Sequence, residues 1–378
     1  MAMQILVVAA LLVAGCSKHE AAARQPAGSG GAPAAAAAST AATATDTPPV
    51  RPVEHIVTDS PGDGRLDLYA HGIGFDDMLF SKYLGDVVVP GGGAGRLYVI
   101  NPSNREIRKL SGPWKQADYK GGHGDGVTSV DDFDGRLAVT DRTTRTLTVV
   151  DPLDGKVIAS AKLTAEPDYV RTVKPTGELW VTEPEAQQIE IFKPGAGALT
   201  SSKTDRIAVK GGPESLVIDG FRNRAYTHLW DGSTVAIDLT TRKIVSTWSN
   251  RCKGARGIAL DEIYAHLFVG CADGGLTVLD LDHDGAVLGS VAPAGLGHVD
   301  IIAYNHHLHH VYLSGSDGVI AIVGIDRAGV PTTLGTVDGA KGSHCATTDG
   351  TRIYACDPKN GAVVIRTDPY PETAYPAP

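Results

Sequence analysis

The apolar positions of this chain recur in a pattern that begins near residue 75 and continues almost to the C-terminal end. Each copy contains a short apolar run, a turn, a second run of the type Leu-aromatic-Val, nine or ten further residues, and a third run that closes on Asp or Asn. The second runs begin at Val87, Leu137, Leu179, Ala225, Leu267, Val311 and Ile353, which gives seven copies with a period of about 42 to 50 residues. Several short strands per repeat at this period predict an all-β fold, a seven-bladed β-propeller in which each blade is a four-stranded antiparallel sheet.

The order of strands within a repeat assigns every loop to one of two faces of the propeller. If the first strand of a blade runs away from one face, here called face one, the turn between strands one and two lies on the opposite face, face two. The turn between strands two and three then returns to face one, as does the link into the next blade. Face one therefore collects the starts of all first strands at the entrance of the central funnel.

Ring closure requires a strand from the far end of the chain. The seventh repeat has apolar runs at residues 345–348, 353–356 and 362–366 and lacks a fourth. Residues 65–69, Arg-Leu-Asp-Leu-Tyr, alternate polar with apolar positions before the first repeat, as a half-buried strand does. We therefore predict that this segment is the outer strand of blade seven, which removes the open sheet edges.

The N-terminal residues indicate the cellular compartment in which the protein is expected. Residues 5–13 are apolar, and Ala14-Gly15-Cys16-Ser17 follows. This sequence resembles the signal peptide and lipobox of bacterial lipoproteins, which implies cleavage before Cys16, acylation of that cysteine and attachment to a membrane. By the same resemblance, Ser17 favours the outer membrane, with the domain on its periplasmic side or on the cell surface. An ordinary signal peptide or a single anchor helix is the alternative.

Residues 18–50 consist mainly of Ala, Pro, Gly, Ser and Thr. Such a segment cannot bury enough apolar surface to offset the entropy of ordering, so we expect a flexible tether. The predicted organisation is a signal peptide at residues 1–15, the lipidated cysteine and linker at 16–50, and the propeller at 51–378.

Composition narrows the classes of partner. The formal net charge is −9, so the chain lacks the basic surface that nucleic-acid binding requires. Only 6% of the residues are aromatic, which also argues against a stacking platform for single strands.

The cysteines suggest disulfides. Of five cysteines, lipidation of Cys16 leaves four in an oxidising compartment. Cys252 and Cys271 bracket the first two strands of blade five, and Cys345 and Cys356 lie on the first two strands of blade seven. We predict a bridge within each pair; buried free thiols are the alternative.

Several strands point to a known group of propellers. Residues 137–141 (Leu-Ala-Val-Thr-Asp), 179–183 (Leu-Trp-Val-Thr-Glu) and 147–151 (Leu-Thr-Val-Val-Asp) resemble the repeats of YVTN-type propellers, in particular the YncE-like bacterial proteins. The resemblance covers about residues 75 to 366 and implies the seven-bladed fold. It implies little about activity, because that group is mostly without assigned chemistry.

The starts of the first strands are unusually polar for the innermost positions of a fold. When the repeats are aligned, the candidate ligand-binding residues at this depth are Asp77, His123, Asp125, Asp168, Tyr169, Arg171, Glu214, Arg256, His298, Asp300 and His344, with Asp76 beside them. Burying such groups costs desolvation energy unless they pair, hold an ion or stay wet. We therefore predict a site on face one.

Three interpretations of this ring remain open. His123, Glu214, His298 and His344 offer nitrogen and oxygen ligands for a divalent metal ion. Arg171 and Arg256 offer a clamp for a carboxylate or phosphate group. The same residues can also pair with one another between blades and serve only the structure.

The resulting hypothesis is a lipid-anchored propeller of the cell envelope that binds a small anionic molecule or a protein partner at face one, without catalysis. The alternative is a metal-dependent lyase or lactonase-like hydrolase, because streptogramin-type lyases and gluconolactonases resemble the chain in fold and keep a divalent ion on the funnel axis. The histidine-rich residues 306–310 fall in a turn on face two, where a solvated turn is expected.

Overall fold

The computed structural model describes residues 62–374 of the chain. The predicted signal peptide, Cys16 and the linker lie outside the described residues, as do residues 51–61 and 375–378 of the predicted propeller domain. The described part forms seven antiparallel sheets and includes one short 3-10 helix, Pro184–Ala186. The seven-bladed propeller predicted from the repeat is confirmed. Among residues 62–374 there is no helix with the length and apolarity needed to cross a membrane.

The strands follow the repeats in chain order. The first strand, β1 (Gly64–Asp67), precedes blade one. Blade one contains β2 (Leu79–Ser81), β3 (Asp86–Pro90), β4 (Arg96–Ile100) and β5 (Ile107–Ser111), and blade two contains β6 (Val127–Phe133), β7 (Arg136–Asp141), β8 (Thr146–Val150) and β9 (Val157–Lys162). Blade three contains β10 (Val170–Val173), β11 (Glu178–Glu183), β12 (Gln188–Gly195), β13 (Ala198–Thr200) and β14 (Arg206–Ala208).

The remaining blades complete the ring. Blade four contains β15 (Glu214–Asp219), β16 (Arg224–Leu229), β17 (Ser233–Asp238) and β18 (Ile244–Ser249), and blade five contains β19 (Ala255–Asp261), β20 (His266–Cys271), β21 (Leu276–Asp280) and β22 (Ala286–Val291). Blade six contains β23 (Ile302–Asn305), β24 (His310–Gly315), β25 (Asp317–Ile325) and β26 (Pro331–Lys341), and blade seven contains β27 (Ala346–Thr348), β28 (Arg352–Asp357) and β29 (Ala362–Thr367).

The N-terminal strand supplies the missing fourth strand of blade seven. β1 pairs with β29 in antiparallel register, with Leu66 opposite Val363. Leu66 is only 1% exposed and belongs to the apolar cluster that also contains Tyr354 and Ile365. The two ends of the propeller are thus joined by a sheet, as the alternation at residues 65–69 predicts.

Burial explains why the second and third strands of the blades have continuous apolar sequences. Every residue of β11 and of β20 is buried, because each of these strands is covered by neighbouring blades on both faces. Leu267 and Val269 of β20, for example, share a cluster with Tyr226 and Ala236 of blade four. The outer strand β22 is instead largely exposed or half-buried, so its sequence carries a weaker apolar signal.

Blade three departs from the simple repeat. Its β12 pairs with β13 at Lys193–Gly195 and with β14 at Gln188–Glu190, so two short strands share the outer position. A hairpin through Gly197, which has a φ of +76° suited to glycine, extends β12 beyond the blade.

One of the two predicted disulfides is present. Cys252 and Cys271 are bonded, with their Cα atoms 5.2 Å apart. Cys345 and Cys356 are buried free thiols, so the second predicted bridge is wrong for this structure. The two thiols contact each other without bonding, and the Cys356 sulfur accepts hydrogen bonds from the backbone N–H groups of Cys345 (3.2 Å) and His344 (3.4 Å).

The histidine-rich turn is less solvated than expected. His310 is fully buried, its Nδ1 lies 2.7 Å from Asp368 Oδ2, and its Nε2 lies 3.1 Å from Thr373 Oγ1. Tyr312 also donates to Asp368, at 2.8 Å. The residue that ends the run therefore anchors the C-terminal segment to blade six.

Candidate functional site at the funnel entrance

Face one brings together most of the predicted ligand-binding side chains. His123, which precedes the first strand of blade two, has its Nδ1 3.1 Å from Asp76 of blade one and its Nε2 3.4 Å from Asp300 of blade six. Its ring also stacks on His344 of blade seven, with centroids 5.4 Å apart. Residues from four blades thus meet around one imidazole.

We call the whole assembly the funnel cluster. It consists of Asp76, Asp77, His123, Arg142, Asp168, Tyr169, Arg171, Glu214, Arg256, Asp300 and His344. Nine of these are among the eleven positions predicted in the sequence. Whether they bind a ligand stays a prediction.

Arg171 forms a two-point ion pair within the funnel cluster. Its NH1 donates to Asp77 Oδ2 at 2.5 Å and its NH2 to Asp77 Oδ1 at 3.0 Å. The hydroxyl of Ser129 also donates to Asp77, at 2.6 Å, and the guanidinium lies 4.8 Å from the centre of the Tyr169 ring. Both charged groups are largely buried and are joined by two hydrogen bonds. Arg171 is therefore held by Asp77 of blade one and is not free to bind an anion.

Arg142 is a member of the funnel cluster that the alignment of first strands missed. It follows β7, in the turn between the second and third strands of blade two, and donates to Asp168, to Asp76 (3.2 Å) and to the carbonyl oxygen of Pro167 (2.9 Å). The loop parity already places this turn on face one. Loop parity could therefore have predicted that Arg142 lies on face one, although nothing in its residue type distinguished it from other turn residues.

Glu214 fixes two half-exposed side chains at the mouth. Its Oε1 accepts a hydrogen bond from Arg256 NH1 at 2.6 Å, and its Oε2 accepts one from Trp230 Nε1–H at 2.7 Å. The Arg256 side chain is 38% exposed and Trp230 is 39% exposed. Trp230, which the sequence reading also missed, lies in the turn between β16 and β17.

The charges of the funnel cluster largely compensate one another. The charge of Asp76 raises the pKa of His123 to about 11, even though burial acts in the opposite direction. Burial tends to raise the pKa of Asp300, but its hydrogen bond and attraction to His123 prevail and lower it to about 2. Burial raises the pKa of Asp168, and the positive charge of the neighbouring Arg142 opposes that rise. Five carboxyl groups thus face three guanidiniums and two imidazoles.

Two predicted residues do not join the funnel cluster. Asp125 and His298 are both exposed, and the hydrogen bond described for His298 runs from its backbone N–H to Ser316 Oγ. Both residues lie next to glycines of positive φ, Gly126 and Gly297, a backbone conformation that suits glycine.

The predicted ligand set for a divalent metal, namely His123, Glu214, His298 and His344, is not assembled within residues 62–374. Both carboxylate oxygens of Glu214 are already engaged, and the His298 side chain points away into solvent. The structure therefore gives no support to a lyase- or lactonase-like metal centre built from these four residues.

A different group of metal-ligand atoms does meet at the edge of the funnel cluster. His344 Nδ1, Cys345 Sγ and Cys356 Sγ all lie within 4.8 Å of one another. Burial opposes ionisation of both groups. The attraction of Cys356 nevertheless raises the pKa of His344 to about 10, and the hydrogen bond from Cys345 together with the attraction of His344 holds the pKa of Cys356 well below its usual range. Burial raises the pKa of the Cys345 thiol. Both pKa directions favour a charge-assisted contact between Cys356 and His344.

His228, opposite Glu214 in the β15–β16 pairing, gives the protein an acid-sensitive point. It is fully buried, its Nδ1 lies 2.9 Å from Thr234 Oγ1, and burial lowers its pKa to about 3. The unfolded chain, with a pKa near 6.5, binds the proton first, so this stabilisation is complete above pH 6.5 and is lost as the pH falls toward 3.

We expect the free energy of unfolding to fall by about 2 kcal/mol between pH 6.5 and pH 5 through this one group. Denaturant unfolding at the two pH values measures the loss. The variant His228→Gln, which keeps a polar group near Thr234 but does not titrate, is expected to lose correspondingly less. Equal losses in both proteins would show that His228 does not carry the effect.

Comparison with known proteins supports the fold. No family model and no curated protein sequence matches the chain. Among solved structures, it is similar to the β-propeller domain of Cps50 (Swd1) from Myceliophteria thermophila, with 13% identity and a TM-score of 0.65 over 80% of this chain and 99% of that domain. It is equally similar to a chain in the crystal structure of a mitotic checkpoint complex, with 14% identity and a TM-score of 0.65 over 82% and 98% of the two chains. By these comparisons the described region is a β-propeller, and at such low identity the likeness extends to the fold alone.

Proposed function

We propose that this chain is a non-catalytic binding propeller of the bacterial cell envelope, which holds a protein partner against face one. The arrangement of Trp230, Glu214 and Arg256 carries this proposal. Tryptophan and arginine are the side chains that most often dominate the energy of protein interfaces. Here both are half-exposed and already held by one buried carboxylate, so a partner would lose little conformational entropy in ordering them.

The internal pairing of the other arginines favours a protein over a small anion. An anion bound by Arg171 would have to break its two hydrogen bonds with Asp77 and leave a buried carboxylate without its partner. Arg142 is engaged by Asp168 and Asp76 in the same way. The mouth therefore offers a fixed, mixed-charge surface with an aromatic side chain rather than a free basic clamp.

Removing either of the two half-exposed anchors, Trp230 or Arg256, is expected to weaken partner binding. In envelope extract of the source organism, the tagged wild-type chain should elute from a sizing column in a larger complex than the purified chain. Trp230→Ala and Arg256→Ala should each weaken that complex by about 30-fold, the loss typical of a hot-spot residue.

Phe221 provides the matched control for this experiment. It is 84% exposed in the turn between β15 and β16, on face two. Phe221→Ala should leave the complex intact. If the complex were lost with Phe221→Ala and retained by both face-one variants, the partner would bind face two, which would contradict the proposal.

We further propose that the chain is attached to the membrane through an acylated Cys16. The support is the apolar stretch followed by Ala-Gly-Cys-Ser in the sequence. Cys16→Ser is expected to move the chain from the membrane fraction to the soluble fraction and to abolish incorporation of a labelled fatty acid. Labelling that persists in this variant would rule out Cys16 as the attachment point.

A further inference from the structure

We infer that face one also holds a monovalent copper site, formed by His344 Nδ1, Cys345 Sγ and Cys356 Sγ. This inference goes beyond partner binding, because it depends on a separate group of atoms at the inner edge of the funnel cluster. Trp230 and Arg256 are not part of it.

The three donor atoms are already close to coordinating positions. His344 Nδ1 lies 3.9 Å from Cys356 Sγ, and all three atoms fall within 4.8 Å of one another. Ligand atoms bound to one metal at about 2.0 to 2.3 Å lie roughly 3.5 to 4 Å apart, so only small side-chain movements are required. Both cysteines are fully buried, which protects the site from competing solvent ligands.

Surrounding backbone groups support the donors in the way that metal sites require. His344 Nε2 lies 2.9 Å from the carbonyl oxygen of Phe75, so this nitrogen can keep its proton while Nδ1 coordinates. In this structure Nδ1 faces the carbonyl oxygen of Gly342 at 3.1 Å, so coordination requires the imidazole to turn from that oxygen toward the two sulfurs and to release its Nδ1 proton to solvent. The Cys356 sulfur accepts hydrogen bonds from the backbone N–H groups of His344 and Cys345. These hydrogen bonds stabilise negative charge on the sulfur.

The donor set selects the ion. Cysteine sulfurs are soft ligands and an imidazole suits copper and zinc, so this set favours Cu(I) and Zn(II) over hard cations. Structural zinc almost always takes four protein ligands. Within residues 62–374, the group contains three donors and no carboxylate, an arrangement better suited to Cu(I). Binding involves no electron transfer: the copper stays monovalent, and protons released by the ligands pass to solvent.

The site is reached from the funnel. His344 is 9% exposed at the mouth and stacks on His123, whose side chain is 30% exposed. A cuprous ion delivered to face one therefore meets imidazole groups before it reaches the buried sulfurs.

The test uses full-length chain carrying Cys16→Ser, reduced under anaerobic conditions and titrated with Cu(I) against a competing chelator. We expect one Cu(I) per chain, with X-ray absorption showing two sulfur neighbours and one nitrogen neighbour. Cys345→Ser, Cys356→Ser and His344→Gln should each weaken binding by at least about 100-fold, because each removes a direct ligand and the loss of an outer-shell partner alone costs about 10- to 100-fold. Thermal unfolding of each variant without metal establishes that it is folded.

The remaining cysteine pair and an exposed histidine serve as controls. Cys252→Ser with Cys271→Ser, and separately His298→Ala, should leave the copper stoichiometry and affinity unchanged. Absence of Cu(I) binding in the reduced chain, or binding that survives Cys345→Ser and Cys356→Ser, would overturn the inference. Tighter binding of Zn(II) than of Cu(I) would overturn the assignment of the ion.

Discussion

Leu66→Asp is expected to open the ring and to remove the cooperative unfolding transition of the propeller. Leu66 is the buried residue of β1, the strand that joins the N-terminal end of the described chain to β29 of blade seven. A carboxylate at this position would be placed without a partner in an apolar cluster, so β1 would detach. The cost, about 5 kcal/mol or more, is comparable with the whole stability of many domains.

Circular dichroism during denaturant unfolding measures this effect. Arg65→Ala is the matched control, because Arg65 lies next to Leu66 in β1 with a side chain that is 45% exposed. That variant should lose less than about 1 kcal/mol. A Leu66→Asp variant that unfolds at the wild-type denaturant concentration would mean that β1 does not close the ring.

Asp77→Ala is expected to cost about 3 to 5 kcal/mol, since it leaves the guanidinium of Arg171 largely buried without its partner. The two residues are 94 positions apart and belong to blades one and three. Their pairing therefore depends on the ring as a whole. Arg171→Met should also destabilise the protein, whereas the double variant should lose clearly less than the sum of the two single losses.

An exposed ion pair provides the comparison. Asp282, whose side chain is 59% exposed, accepts a hydrogen bond from Arg222 Nε at 2.8 Å, and Asp282→Ala should cost no more than about 1 kcal/mol. Strictly additive losses for Asp77 and Arg171 would indicate that the two side chains do not interact in solution.

The fold was predictable because burial on two faces leaves a strong periodic signal. The second strands, such as β11 and β20, are buried throughout, so their apolar runs mark every blade. Leu66 likewise marks β1 by alternation. The divided outer position of blade three left no such signal, because β13 and β14 have three residues each and only one buried residue apiece.

The sequence could predict those site residues whose positions are determined by strand register. Alignment of first-strand starts located ten of the eleven members of the funnel cluster, Asp76 included. Arg142, and Trp230 outside the cluster, lie in turns whose side-chain directions the repeat does not specify. Asp125 and His298 lie beside glycines of positive φ and are exposed. For Cys345 and Cys356, the sequence indicated proximity, but the orientation of the Cys356 sulfur depends on backbone donors that only the structure reveals.

Site-specific photo-crosslinking in living cells tests most directly whether face one is the surface that receives a partner. A photoreactive residue placed at His298, on the rim of face one, is compared with the same residue at Phe221, on face two. Both positions are exposed, and neither contributes to the funnel cluster. We predict a discrete crosslinked protein from position 298, lost when Trp230→Ala is added, and none from position 221. A partner captured from position 221 alone would contradict the account.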